Sequence, residues 1–171
     1  KIKFIFVGRL VYQKGIDRVL HLFKKNSNFE LIIVGDGEEK EKLLAMTEKH
    51  GNKNNINFIG KKLYPFNLVA GADYFLLPSR WEGLPNCVLE SLALGTPVIS
   101  FKRIFALKDF KNNLKDNSLV LCKDEKTLEK YFFSLKRRKD YMKPKLRKSL
   151  LKNYMTTQSF QKSINKIILD I

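Results

Sequence analysis

A doubly wound α/β domain, with helices on both faces of a mostly parallel sheet of about six strands, is what this sequence predicts. Two observations carry the prediction. Short apolar runs alternate along the chain with longer stretches of helical character. Those runs are continuous in Ile, Val, Leu and Phe, as strands covered on both faces require. The chain has 171 residues, 44% of them hydrophobic and 29% charged. That suits one domain, 1–171, able to bury a core without disulfide or metal staples. It excludes disorder as the main state, and no apolar run approaches the roughly 18–20 residues that span a bilayer.

The elements follow in order. Phe4-Ile5-Phe6-Val7, stopped by Gly8, is a buried strand. Ile16, Val19, Leu20 and Phe23 recur at helical spacing and form one narrow apolar stripe. Leu31 to Val34 is a second strand, ended by Gly35-Asp36-Gly37. A charged helix is expected over 38–50, with acidic residues in its first turn where the macrodipole favours them. Ile56 to Ile59 is a third strand, and a short helix covers 65–70. Tyr74 to Leu77 is a fourth strand, 85–94 a helix, and Pro97 to Ser100 a fifth strand. Beyond residue 100 the alternation weakens. Leu119 to Leu121 reads as a sixth strand, and 125–135, 139–154 and 158–169 as C-terminal helices.

Charge is unevenly spread. Residues 1–100 hold 14 basic and 10 acidic side chains, and 101–171 hold 19 and 7, within a total net charge of +16. The excess favours an anionic partner such as a membrane surface, phosphate or nucleic acid, or else a lysine-rich solvated face. The two cysteines, Cys87 and Cys122, provide no disulfide scaffold and suit a reducing cytoplasm. Lys1 runs straight into an apolar strand with neither an initiator Met nor a signal sequence. The expectation is a piece of a longer protein, cut at a domain boundary.

Ligands of open parallel sheets bind at the carboxyl ends of the strands, so the loops that follow them carry the chemistry. After the first strand come Gly8 and Arg9, then Lys14-Gly15. Arg can fork onto a phosphate and Lys can neutralise it as a point charge. After the second strand come Gly35, Asp36 and Gly37, where a backbone can approach a ligand closely or simply turn. After the fourth strand the chain reads Pro78-Ser79-Arg80-Trp81-Glu82-Gly83-Leu84-Pro85-Asn86-Cys87-Val88-Leu89-Glu90. Pro85 suits the first helical position. The amides of Asn86, Cys87 and Val88 then face forward at a helix N-terminus, able to take a diphosphate. Glu82 lies in the loop. Glu90 lies beyond the first helical turn, away from the stripe of Val88, Leu89, Leu92 and Ala93, either solvated or placed to accept hydrogen bonds from sugar hydroxyls. His21 and His50 lie away from these loops, which leaves no metal site and no base beside Cys87.

Taken together, several segments occur in a recognisable order: Val7-Gly8-Arg9-Leu10 with Lys14-Gly15, Ile33-Val34-Gly35-Asp36-Gly37, Phe58-Ile59-Gly60, Ala72-Asp73, the run from Leu77 to Glu90, and Gly95-Thr96-Pro97-Val98-Ile99. This series resembles the C-terminal, donor-binding half of the group 1 (family 4) retaining glycosyltransferases, a Rossmann-like half of the GT-B fold. The resemblance spans roughly residues 1–100, and Glu82 and Glu90 look like that family's paired glutamates.

The resemblance implies a donor site for a nucleoside-diphosphate sugar, UDP- or GDP-linked, with no permanently bound cofactor and no metal. Arg9 and Lys14 would hold the diphosphate. Glu82 would contact the transferred sugar and Glu90 the nucleotide ribose. Backbone amides of Leu84, Asn86, Cys87 and Val88 would cradle phosphate, and Gly8 would also border the donor. Gly35 with Asp36, and the segment of Lys61, Lys62 and Leu63, would line the base. It also implies an absent N-terminal acceptor domain, so that the 171-residue chain alone is inactive. Its setting would be cell-surface glycan or glycolipid synthesis in the cytoplasm, peripheral to the inner face of the membrane with a lipid-linked acceptor. The chain departs from the family after Ser100, where Phe101-Lys102-Arg103-Ile104-Phe105-Ala106 replaces the usual Gly-Pro and acidic residue. Two other readings compete. A basic nucleic-acid-binding module lacks an aromatic platform or motif here. A non-catalytic nucleotide-sugar-binding relative sits poorly with both Glu82 and Glu90 being present.

Overall fold

The computed structural model describes residues 1–136, except 25–27, 52, 84, 113, 115 and 116. The helices expected over 139–154 and 158–169 lie outside the described residues, as does Leu84. Six strands form one sheet: β1 Ile2–Val7, β2 Phe29–Val34, β3 Ile56–Phe58, β4 Tyr74–Leu77, β5 Val98–Phe101 and β6 Leu119–Cys122. Five helices accompany them: α1 Lys40–Lys49, α2 Phe66–Gly71, α3 Asn86–Ala93, α4 Phe105–Asn112 and α5 Glu125–Ser134. The strand order is β3-β2-β1-β4-β5-β6 and every pairing is parallel. The doubly wound α/β expectation is therefore met, with an all-parallel sheet.

The reason lies in the strands' two-faced burial. On β1, Phe4 and Phe6 enter one core with Phe23, Phe29, Leu31 and Phe132, while Ile5 enters the opposite core with Val34, Phe75, Leu77 and Val88. Alternate side chains of the run Phe4-Ile5-Phe6 thus point to two apolar layers, and the one charged residue of β1, Lys3, lies exposed near its start. Phe4 is fully buried and centres an aromatic group. Its ring stacks on Phe132 at 4.3 Å and meets the rings of Phe23 and Phe29 edge-on at 5.5 and 5.4 Å. Offset-stacked and edge-to-face pairs of this kind add to the area they bury.

Four local expectations are corrected. The stripe of Ile16, Val19, Leu20 and Phe23 belongs to 3-10 turns, Ile16–Arg18 and Leu20–Phe23, preceded by another at Tyr12–Lys14. Over so short a stretch, spacings of three fit both helix types. Here the amides reach back three residues, Arg18 to Gly15, Val19 to Ile16 and Leu22 to Val19. Pro85 stands one place before α3 rather than at its first position, because its ψ of 105° is extended. The buried side of α3 is Val88, Ser91, Leu92 and Ala93, so Ser91 replaces the expected Leu89, its hydroxyl satisfied by the Thr96 carbonyl at 2.9 Å. Finally, α4 occupies a stretch where no helix was expected.

The connections turn back at β1: one way to β2 and β3, the other to β4, β5 and β6. The order of the sheet reverses between β1 and β4, and the crevice above that reversal is where doubly wound sheets hold ligands.

Candidate functional site

The crevice is walled by two loops, Gly8–Gly15 after β1 and Pro78–Pro85 after β4. They are laced together between Tyr12 and Arg18 on one side and Pro78 and Glu82 on the other. Arg80 donates from its guanidinium to both carboxylate oxygens of Asp17, at 2.9 and 2.6 Å, and to the Tyr12 carbonyl at 2.7 Å. It also lies 3.8 Å over the Tyr12 ring. The Arg80 amide donates to the Gln13 carbonyl, and the Gln13 side chain to the Trp81 carbonyl. Arg18 donates to the Pro78 carbonyl at 2.9 Å and pairs with Glu125. Gly15 lies so near Pro78 that a Cβ there would come within 2.4 Å of its carbonyl oxygen, and its φ of +64° is left-handed. Glycine is required at such a contact.

Inside this clamp, Lys14 Nζ donates to Glu82 Oε1 at 2.6 Å, and Ser79 Oγ donates to the same oxygen at 2.8 Å. The Lys14 and Glu82 side chains are only 17% and 8% exposed, so the pair is shielded from water. Ser79 is fully buried, and its hydroxyl is spent on Glu82. Two residues that the sequence placed in separate roles thus meet across the crevice.

The amino terminus of α3 opens beside them. The Val88 amide, expected to be free, closes a turn onto the Pro85 carbonyl at 3.0 Å. The Asn86 and Cys87 amides remain without a backbone partner among the described residues. Burial pushes the Cys87 thiol up to about 12, with the charges of Lys14, Glu82 and Glu90 acting on it more weakly. That thiol is no nucleophile at neutral pH. Glu90 is half-buried, and desolvation raises its carboxyl above the ordinary value. A carboxylate drawn partly out of water is placed to take donors from a ligand.

The remaining expected residues lie along the same edge of the sheet. Gly8 and Gly35 meet backbone to backbone: a Cβ on Gly35 would stand 1.8 Å from the Gly8 carbonyl oxygen. The Gly35 amide donates to the Gly60 carbonyl, and the Leu10 amide to the Asp36 carbonyl, so the loops after β1, β2 and β3 form one rim. Asp36 is exposed. The Gly37 amide at 2.9 Å, then Lys40, hold its carboxyl below the usual range. Arg9 and Leu63 are also exposed on this rim. Among the described residues, no hydrogen bond or ion pair joins Arg9, Asp36 or Leu63 to the Lys14–Glu82 pair.

Sequence reasoning missed Arg80, Asp17, Gln13 and Tyr12. Asp17 lies three positions after Lys14, and Arg80 two before Glu82. Opposite charges flanking the two candidate residues were the available signal. Among the described residues no cluster of three or more His, Cys, Asp or Glu could hold a metal ion, and no helix is long and apolar enough to cross a membrane.

A family model described as glycosyl transferases group 1 matches residues 1–154. The chain belongs to the group 1 glycosyl transferases. An uncharacterized glycosyltransferase of Methanocaldococcus jannaschii is 44% identical over 101 residues, covering 57% of this chain and 25% of that protein. The fold matches the lipopolysaccharide outer core galactosyltransferase WaaB with a TM-score of 0.74 at 22% identity, over 99% of this chain and 49% of that one. It matches Anabaena HepE, solved in complex with UDP, with the same TM-score at 17% identity, over 99% of this chain and 48% of HepE. This group 1 chain therefore spans a quarter to about a half of the length of these relatives, and its fold is that of one half of a GT-B glycosyltransferase.

Proposed function

We propose that this chain binds the nucleoside-diphosphate sugar donor of a retaining glycosyltransferase of cell-surface glycan or glycolipid synthesis. The observation that carries the reading is the meeting of Lys14 and Glu82 beside the open amino terminus of α3, at the reversal of the sheet. Cations and free amides at that place suit a diphosphate, and carboxylates suit hydroxyls. The complex of HepE with UDP agrees with such a ligand.

On this reading Lys14, Arg9 and the Asn86 and Cys87 amides neutralise the diphosphate as its bond to the sugar breaks, without a metal ion. Glu82 holds the sugar and Glu90 the ribose. The rim of Gly8, Gly35, Asp36 and Leu63, with Leu84, accommodates the rest of a UDP or GDP moiety. The acceptor belongs to a further domain, so this chain alone transfers no sugar, because near-attack geometry needs both walls of a cleft. The basic second half fits a cytoplasmic position against an anionic membrane carrying a lipid-linked acceptor. Nucleic acid is not among the partners.

Thermal denaturation with UDP, GDP and ADP tests this. A ligand at 100 times its Kd adds about 2.7 kcal/mol to stability. A rise in Tm with one of the three is expected, and no rise with any at millimolar concentration overturns the reading.

A further inference from the structure

We propose that Glu82 disfavours a bare nucleoside diphosphate by competing with it for Lys14, an inference that rests on the function proposed above. The Lys14 ammonium is already committed to Glu82 Oε1 at 2.6 Å, and Ser79 Oγ holds that same oxygen at 2.8 Å. A diphosphate seated at the amino terminus of α3 draws on the same ammonium, since Lys14 is held on Glu82, four residues ahead of Asn86 where that helix begins.

When Lys14 turns to the phosphate, Glu82 keeps only the Ser79 hydroxyl among the described residues, and its Oε2 has no donor there. Its side chain is only 8% exposed, so few waters can take the place of the ammonium. A shielded carboxylate stripped of its cation beside a second anion is costly. A ligand with hydroxyls beyond its β-phosphate supplies Glu82 with new donors. A bare diphosphate supplies none. The carboxylate therefore sets the site against the spent product and in favour of the sugar-bearing donor.

The test is calorimetric titration of UDP, GDP, ADP and inorganic pyrophosphate into the full chain, its Glu82→Gln and Lys14→Met variants, and the double variant. Folding of each is checked by its melting curve. Glu82→Ala serves in the same way if Glu82→Gln does not fold. The expected result is counter to a structural role: removing the carboxylate tightens diphosphate binding by about tenfold, the scale of one charged hydrogen bond. That gain disappears in the Lys14→Met background. Unchanged or weaker binding in Glu82→Gln overturns the inference while leaving the donor site standing. A gain that survives without Lys14 also overturns it, because the effect is then the general field of a negative charge. Failure of every ligand to bind both wild type and Glu82→Gln overturns the donor site, and the inference with it.

Discussion

The Arg80 guanidinium donates to both carboxylate oxygens of Asp17 and to the Tyr12 carbonyl, and in doing so joins the loop that carries Lys14 to the loop that carries Glu82. The pair is mostly shielded, with side chains 17% and 20% exposed, so it is worth more than a surface ion pair. Replacing Arg80 with Ala leaves Asp17 and the Tyr12 carbonyl short of donors and costs about 2 kcal/mol of unfolding free energy by urea titration. The pH dependence has a definite sign. Burial alone raises the Asp17 carboxyl, but the bonds and charge of Arg80 outweigh it, and the net shift is below the ordinary 3.8. The stabilisation is therefore complete above about pH 4 and is lost as the pH falls through the lower folded value. The stability difference between wild type and Asp17→Asn is expected to be full at pH 7 and to vanish in strong acid. A difference independent of pH would show that the ion pair contributes nothing.

At the scale of elements, the rim of the crevice depends on loops brought within backbone contact. Gly35 has φ +150°, and a Cβ there meets the Gly8 carbonyl oxygen at 1.8 Å. Gly60, with φ +72°, has open space around its Cβ position. The two glycines thus separate contact from conformation. Gly35→Ala is expected to destabilise by about 3 kcal/mol or more, because the β1 and β2 loops must part, and Gly60→Ala by about 1 kcal/mol from backbone strain alone. Equal losses in denaturant titration would contradict the packing of the rim. These contacts also mark where sequence reading ends. The strands were legible because burial on both faces writes itself as continuous apolar runs, as in Phe4-Ile5-Phe6 and Leu31-Ile32-Ile33. Helix α4 was not: Ile104 and Leu107 are buried, but exposed Lys102, Arg103, Phe105 and Lys108 surround them and blur the stripe. The 3-10 turns were not legible either, since a spacing of three does not separate them from an α-helix over two turns.

For the molecule as a whole, the candidate residues stand out in the sequence, but their arrangement in space does not. Cations and carboxylates at strand ends stand out in the sequence because the topology of a doubly wound sheet says where to look. Lys14 and Glu82 lie 68 positions apart, and only the adjacency of β1 and β4 brings them to 2.6 Å. Arg80 escaped notice for the same reason, being paired with an Asp17 that is 63 positions away. A competing place for a ligand is a groove of about 540 Å³ at the β3 edge, lined by Ile32, Leu44, Phe58, Ile59 and Leu68 with Glu48 and Lys53. It is mostly apolar and lies at the β3 edge, away from the reversal of the sheet between β1 and β4. The most direct measurement is therefore a crystal structure of the chain soaked with whichever of UDP, GDP or ADP raises its Tm. The diphosphate is expected at the amino terminus of α3, between the Asn86 and Cys87 amides and the Lys14 ammonium, with the ribose toward Glu90. A nucleotide found in the β3-edge groove, or anywhere that leaves Lys14 on Glu82 and the α3 terminus empty, would contradict the account.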